Sequence, residues 1–467
     1  MTTSEVKEVT IMGAGLVGSL LALYMTRRGY KVQVFEKRQD MRRLRQDGGR
    51  SINLAMSDRG LRALKEVGLD DKVTSLMIPM KGRMLHGEDN SIRFQPYGKE
   101  GQFINSIPRG LLNELMVNEA EERGAVFSFG KKCTGADLDT NTVYLEDMQT
   151  NEATEVHSDL ILGADGAFSA LRSVMEKTDR YNYEQYYIDH GYKELTIPPT
   201  AEGYFAMEKN ALHIWPRGRH MFIALPNPDK SFTCTLFFPF EGEPSFASLQ
   251  TAEKVESFFK EVFPDATELI PNIAEQYNEN PTSSLVTIRC YPWVANRFLI
   301  LGDASHAIVP FYGQGMNAGF EDCYLLDKFL DKYEDVDEAL HAFQTSRKPD
   351  ADAIAELALK NFVEMRDHVA DPQFLLQKKI EARLNDRFPE QWIPLYSMVT
   401  FTHMPYAEAM RKGMQQDKAM KVVMKHMNAS AENYQDLNYS AMLARLKDVM
   451  SEMDNPSIRR SSQIEPV

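Results

Sequence analysis

The stretch GDASHAIVPFYGQGMN, Gly302 to Asn317, places an acid, a hydroxyl and an imidazole within four residues, followed by Pro310, Gly313 and Gly315. Two chemistries fit these types. In the first, Asp303, Ser305 and His306 form a nucleophilic centre. Triads are assembled from segments distant in sequence, and the turn that exposes a hydrolase serine reads G-x-S-x-G, a pattern this stretch lacks. In the second, the backbone is the active element. Asp303 follows the apolar run FLIL, a position where acids of open α/β sheets meet ligands. It would accept hydrogen bonds from ligand hydroxyls. The glycines precede a helical pattern, so unpaired N–H groups at that helix start would face an electron-rich ligand edge. The second reading is the stronger one, with Ser305 and His306 packing the turn.

Another constellation lies near the N-terminus. Gly13, Gly15 and Gly18 of GAGLVG follow the apolar EVTIM and open a helical run from Leu16. Gly13 permits the tight turn, Gly15 lets a pyrophosphate approach the backbone, and Gly18 lets helix and sheet pack closely. Glu36 closes the next strand, 23 residues after Gly13, where an acid binds a ribose hydroxyl. The spacing predicts a dinucleotide site. An acid at this place disfavours a 2′-phosphate, so NAD or FAD is favoured over NADP there.

Elements must position these groups. EVTIMGAG, the helix LVGSLLALYMTRRGY and KVQVFEKR read as a βαβ unit, the first strand apolar throughout as if buried on both faces. Two more buried strands end in acidic turns, at Leu160–Gly166 and Phe298–Ala304. Tyr192–Phe240 reads as strands with period-2 alternation, and Met80–Tyr97 also reads as strand. From about Pro349 the pattern is helical, with Met410, Met414, Met420, Met424 and Met427 at helix-face spacing. KRQDMRRLRQDGGR, Lys37 to Arg50, reads as a mobile basic loop. The fold class expected is α/β: a Rossmann-like domain interrupted by an antiparallel substrate sheet, then a helical region. The expected division is 1–75, 104–178 and 285–375 for the dinucleotide domain, 76–103 and 179–284 for the substrate domain, and 376–467 for the helical region with a frayed tail.

The bulk numbers bound the partners. The chain has 467 residues, 43% hydrophobic and 26% charged, as soluble globular proteins do. A net charge of −14 argues against nucleic acid or an anionic membrane as the main partner. The four cysteines, Cys133, Cys234, Cys290 and Cys323, are far apart and form no metal or disulfide pattern. No signal peptide and no apolar run of about 18 residues is found. A cytoplasmic protein without a metal site is expected.

The glycine turn, GADGAFSALR and GDASHAIVPFYGQGMN, in this order, resemble the single-component FAD-dependent aromatic hydroxylases of the p-hydroxybenzoate hydroxylase type. The resemblance implies bound FAD, NADPH as transient reductant and O2 as co-substrate. It implies that Gly13, Gly15, Leu16, Gly18, Glu36, Lys37, Arg38, Ala55, Arg109, Asp303, Gly315, Met316 and Asn317 contact FAD, and that Asp165 and Gly166 serve flavin and reductant. The backbone of Pro310, Phe311 and Gly313 would face the side where oxygen reacts.

GRSINLAMSDRG, KGRMLHG, QPYG, GYKEL, ALHIWPRG, MFIALPN and YSMVTFTHMPYA resemble the kynurenine-hydroxylating members of that family over nearly the whole chain. L-kynurenine is the substrate this implies, with Arg83, Tyr97, Asn361, Glu364 and Tyr396 around its amino-acid end and Ile223, Leu225 and Phe237 against its ring. Read from the residues alone, Arg83 is equally a solvated strand charge, Tyr97 a packing residue, Asn361 with Glu364 a solvated helix face, and the three apolar residues a core strand. Ser305 stands where the family has alanine, and GAFSALR differs in its middle. Animal members carry a C-terminal membrane anchor that this chain lacks, which predicts a soluble bacterial-type enzyme. No acid–base residue is expected, because the aniline nitrogen itself activates the adjacent ring carbon. NADPH would dock on Arg42, Arg43, Arg45 and Arg50, or those residues form a solvated loop. Competing readings are a hydroxylase of another aromatic acid, a non-redox FAD-binding or halogenating protein (the halogenase W-x-W-x-I-P segment is absent) and an NAD-dependent dehydrogenase. The oligomeric state stays open, a homodimer among the alternatives.

Overall fold

The structure is a computed structural model and describes residues 6–43, 53–364 and 371–454. A six-stranded sheet runs in the order Val294–Ala295, Phe298–Ile300, Leu160–Gly163, Glu8–Met12, Lys31–Glu36, Val126–Phe129. Every neighbouring pair is parallel except the first. Val9, Ile11, Val32, Val34, Leu160, Ile161 and Leu162 are all buried, on both faces. That is why these strands read as continuous apolar runs and not as alternations.

A seven-stranded sheet runs Ser283–Tyr291, Asn182–Ile197, Phe232–Pro239, His220–Pro226, Ala211–Arg217, Gly82–His86, Ile92–Pro96. It is antiparallel save for the Ala211–Arg217 and Gly82–His86 pair. Its period of two separates two jobs. Trp215, Phe222, Cys234, Leu236 and Phe238 pack with Phe258 and Phe259 of the helix Ala252–Val262. Ile214, Ile223, Leu225 and Phe237 point the opposite way, into a cavity.

Five helices, Val336–Val363, Pro372–Arg387, Leu395–Thr400, Tyr406–His426 and Tyr439–Asp454, form most of the C-terminal part of the described chain. Among the described residues no helix is long and apolar enough to cross a membrane, and no cluster of His, Cys, Asp or Glu is arranged to hold a metal.

Several expectations meet specific structure. Met80–Tyr97 is not one strand: the chain reverses at Gly87–Ser91, where a Cβ on Gly87 would crowd Asp89 and Ser91. The helical region starts at Val336 and continues through Pro349. Three of the four cysteines are buried and all are free. Of the methionines at helix-face spacing, Met420 is buried, whereas Met414 is 47% exposed. The basic segment is not simply mobile. Met41–Arg43 is a 3-10 turn, and Arg42 is held by Asp40, Asn118 and Glu121. Arg45 and Arg50, like the tail expected to fray beyond Asp454, lie outside the described residues.

Candidate active site

One cavity of about 750 Å³ joins the first βα turn to the cavity-facing side of the seven-stranded sheet. Ligand cavities run roughly 300–1,000 Å³, so this one is large. At one end, Gly13 adopts φ +98° and a Cβ there would lie 2.5 Å from the Ala164 carbonyl oxygen. A Cβ on Gly18 would overlap the Gly13 carbonyl, so that residue is required for packing. Gly15 differs: a Cβ there would meet nothing within 4 Å, and its φ of −75° suits any residue. Protein packing therefore does not demand Gly15, but the open space over the backbone does suit a phosphate. The helix Leu16–Arg27 begins there without a side-chain cap and without an acid in its first turn, leaving N–H groups for an anion.

Glu36 closes the turn. Its carboxylate accepts from Ala14 N at 3.0 Å, Arg38 N at 2.9 Å and Arg38 Nε at 2.9 Å. Burial works to raise it, but the bonds from Arg38 and Ala14 outweigh burial and hold it below the usual carboxylate range. Leu16, Lys37, Arg38, Ala55 and Arg109 line the same cavity.

Asp303 follows Gly302, whose φ of +60° turns the chain out of the sheet. Asp303 is exposed to the cavity, but the surrounding protein removes water from its carboxyl and raises it above the ordinary range despite His306 and Arg109 nearby. A group so placed gains from hydroxyl donors that replace lost water. Asp165 also lines the cavity; its Oδ2 accepts from Ala170 N at 2.7 Å, while buried Oδ1 has no protein partner.

Pro310, Phe311 and Gly313 line the middle of the cavity, and Gly315 and Met316 present the start of the helix Gly315–Lys332. Asn317 does not reach the cavity. It is fully buried, donates to the Ala55 and Gly313 carbonyls, and accepts from Ser57 N. His306 also stays out: its Nε2 lies 2.6 Å from Asp322, which in turn accepts from Gly302 N and Arg347.

At the far end stands Arg83. Its guanidinium lies 4.8 Å from the Tyr396 ring centroid and 5.1 Å from that of Tyr97. Burial alone would lower it, but the Tyr396 and Tyr97 oxygens outweigh burial and raise it. Among the described residues no carboxylate pairs with it. Arg83 is half-buried, and a cation so enclosed without an acid partner favours the arrival of an anion. Ile223, Leu225 and Phe237 form the adjoining wall. Asn361 and Glu364 do not line the cavity: Asn361 donates from Nδ2 to the Phe311 carbonyl at 2.7 Å, and Glu364 caps the helix Val336–Val363. Among the cavity residues that sequence reasoning missed are Tyr312 and Gln314. Tyr312 stacks on Tyr396 at 5.6 Å, and Gln314 accepts from Tyr406. Their place inside PFYGQG was the one available signal.

The donor set fits FAD. A glycine cradle, a ribose acid, an acid for a polyhydroxy chain and a helix start lie along one cavity, with room left beside Arg83. The FAD binding domain family matches residues 6–358. The kynurenine 3-monooxygenase of Christiangramia forsetii is 48% identical over 421 residues, 90% of this chain and 94% of its own. That of Flavobacterium psychrophilum is 49% identical over 424 residues, with the same coverage.

The chain belongs to the kynurenine 3-monooxygenase family.

Within that family the similarity extends beyond bacteria. The kynurenine 3-monooxygenase of Dictyostelium discoideum is 46% identical over 436 residues, 90% of this chain and 93% of its own. Solved structures share the fold of this kynurenine 3-monooxygenase family member at lower identity. A mutant of 2-methyl-3-hydroxypyridine-5-carboxylic acid oxygenase superposes with a TM-score of 0.66 at 20% identity, covering 79% of this chain and 95% of its own. Klebsiella pneumoniae HpxO, complexed with FAD and uric acid, gives 0.63 at 17% identity, covering 82% and 94%.

Proposed function

We propose that the protein hydroxylates L-kynurenine at the ring carbon beside its aromatic amine. Kynurenine, NADPH, a proton and O2 give 3-hydroxykynurenine, NADP+ and water. The observation that carries this reading is Arg83, a half-buried guanidinium facing the cavity between two phenols, with no acid of the described residues to pair with.

FAD, when bound, supplies the redox chemistry and the place where O2 is activated. The chain does the rest. The Gly13–Gly18 turn receives the pyrophosphate, Glu36 a ribose hydroxyl, and Asp303 the hydroxyls of the sugar chain. Arg83 forks onto the amino-acid carboxylate, and Tyr97 and Tyr396 add hydroxyl donors. Ile223, Leu225 and Phe237 hold the aromatic ring. The Pro310–Gly313 turn, held by Asn361 through the Phe311 carbonyl, closes the reacting side against water. The N–H groups near Gly315 favour negative charge beside them. No side chain is assigned as acid or base. The reducing cytoplasm fits the four free thiols.

The test is the visible spectrum of the purified protein, followed by NADPH oxidation with kynurenine, salicylate or p-hydroxybenzoate and mass analysis of the product. A flavin spectrum, stimulation by kynurenine and a product heavier by one oxygen support the reading. Stimulation by another acid alone, or a colourless protein, overturns it.

A further inference from the structure

Gln314 is the residue before the helix Gly315–Lys332, and it lines the cavity although only 2% of it is exposed. Its Oε1 accepts a 2.8 Å hydrogen bond from the Tyr406 hydroxyl. Tyr406 is fully buried and opens the helix Tyr406–His426. A residue of the C-terminal helices therefore reaches the turn that faces the reacting side of the cavity.

Tyr406 is itself held from two directions. The Arg59 guanidinium lies 4.0 Å from its ring centroid and that of Arg347 lies 5.5 Å away. Both arginines bind Glu321 of the helix that Gln314 precedes, at 2.8 and 2.9 Å. Arg347 also binds Asp322 at 2.6 Å. Arg59 donates as well to the Val399 and Met404 carbonyls, just before Tyr406. The ring is locked by cations that the active-site helix shares, so its hydroxyl has little freedom. With Oε1 engaged, no protein hydrogen bond holds the Gln314 amide nitrogen among the described residues, and Gln314 lines the cavity.

We propose that Tyr406 is a positioning residue: its hydroxyl fixes the Gln314 amide so that its N–H donors point into the cavity beside Pro310–Gly313. The C-terminal helices thereby set the geometry of the turn that shields the reacting ring. This deepens the proposed monooxygenase reading and rests on it for the catalytic consequence alone.

Tyr406→Phe keeps the ring between the arginines and removes only the hydroxyl. Two readouts separate the ideas. Visible circular dichroism of the bound flavin, without substrate, reports the turn's geometry even if kynurenine is not the substrate. The fraction of oxidised NADPH that ends as hydrogen peroxide rather than product reports the shielding. In Tyr406→Phe and in Gln314→Ala the dichroism changes alike, and the peroxide fraction rises about 2- to 10-fold, the worth of one hydrogen bond. The double variant is no worse than either single one, because both remove the same pair. FAD affinity and Tm stay near those of the parent. Unchanged dichroism and peroxide fraction in Tyr406→Phe, or effects that add in the double variant, overturn the proposal. Should Tyr406→Phe fail to fold, Gln314→Leu decides: altered dichroism with normal FAD affinity supports it, and unaltered dichroism refutes it.

Discussion

Tyr396 stacks on Tyr97 with ring centroids 5.8 Å apart and planes 13° from parallel, and both rings face the Arg83 guanidinium. Tyr97 follows the edge strand of the substrate sheet, and Tyr396 lies on the helix Leu395–Thr400. The deep end of the cavity is thus closed by two distant parts of the chain around one cation.

Replacing that cation separates binding from stability. Arg83→Met keeps most of the side-chain volume and removes the charge. Kynurenine binding weakens by roughly 1–3 kcal/mol, on the order of 5- to 150-fold in Kd. The Tm of the substrate-free protein does not fall, because a half-buried cation without an acid partner stabilises little. Titration of kynurenine against flavin fluorescence, with a melting curve, checks both halves. A large loss of Tm with unchanged Kd contradicts the assignment.

Gly15 and Gly18 part company. Gly15→Ala folds with a normal melting curve in the absence of FAD, since its Cβ meets nothing, but FAD binding drops by about 10-fold or more as the methyl enters the phosphate space. Gly18→Ala loses folded protein outright, since its Cβ would overlap the Gly13 carbonyl. Calorimetry of FAD binding to refolded apoprotein distinguishes the two.

Asp303 makes FAD affinity pH-dependent. Asp303 is exposed to the cavity, yet the protein around it raises its carboxyl, so the ionised form is lost earlier on acidification than for an acid in open water. The carboxylate is the better acceptor for sugar hydroxyls, so FAD affinity is greatest above this raised value and declines as pH falls through it. In Asp303→Asn that decline is absent, and affinity at neutral pH is lower by about 10-fold. A parallel pH profile in parent and variant would exclude this role.

His213 adds an acid-sensitive element to the substrate sheet. It is 2% exposed, meets His86 Nε2 with Nδ1 at 2.9 Å and the Glu208 carbonyl with Nε2 at 2.9 Å. Burial lowers it from 6.5 to about 4. Between those values the unfolded chain holds the proton that the folded chain refuses. Stability from this residue is therefore full above about pH 6.5, falls as pH drops, and is lost near pH 4, a change of roughly 3 kcal/mol at most. Urea unfolding from pH 7 to pH 4 should show a shallower decline in His213→Gln.

What lay legible in the sequence was local. The glycine turn and Glu36 belong to one βαβ unit, where backbone geometry ties residue type to spacing. Apolar runs marked the buried parallel strands, and alternation marked Ile223, Leu225 and Phe237 as one face of a sheet. Asp303 could be placed because it follows a buried strand directly. The tertiary structure decided everything that depends on which distant side chains meet. It brought Arg83 to Tyr97 and Tyr396 and gave it no acid among the described residues. It tied Arg42 to Asp40 and Glu121, though a run of arginines reads as a free basic loop. It set Asn317 and Asn361 behind the cavity wall as supports, and joined Gln314 to Tyr406. Periodicity says which way a side chain faces its own element; only packing of one element on another says what it finds there.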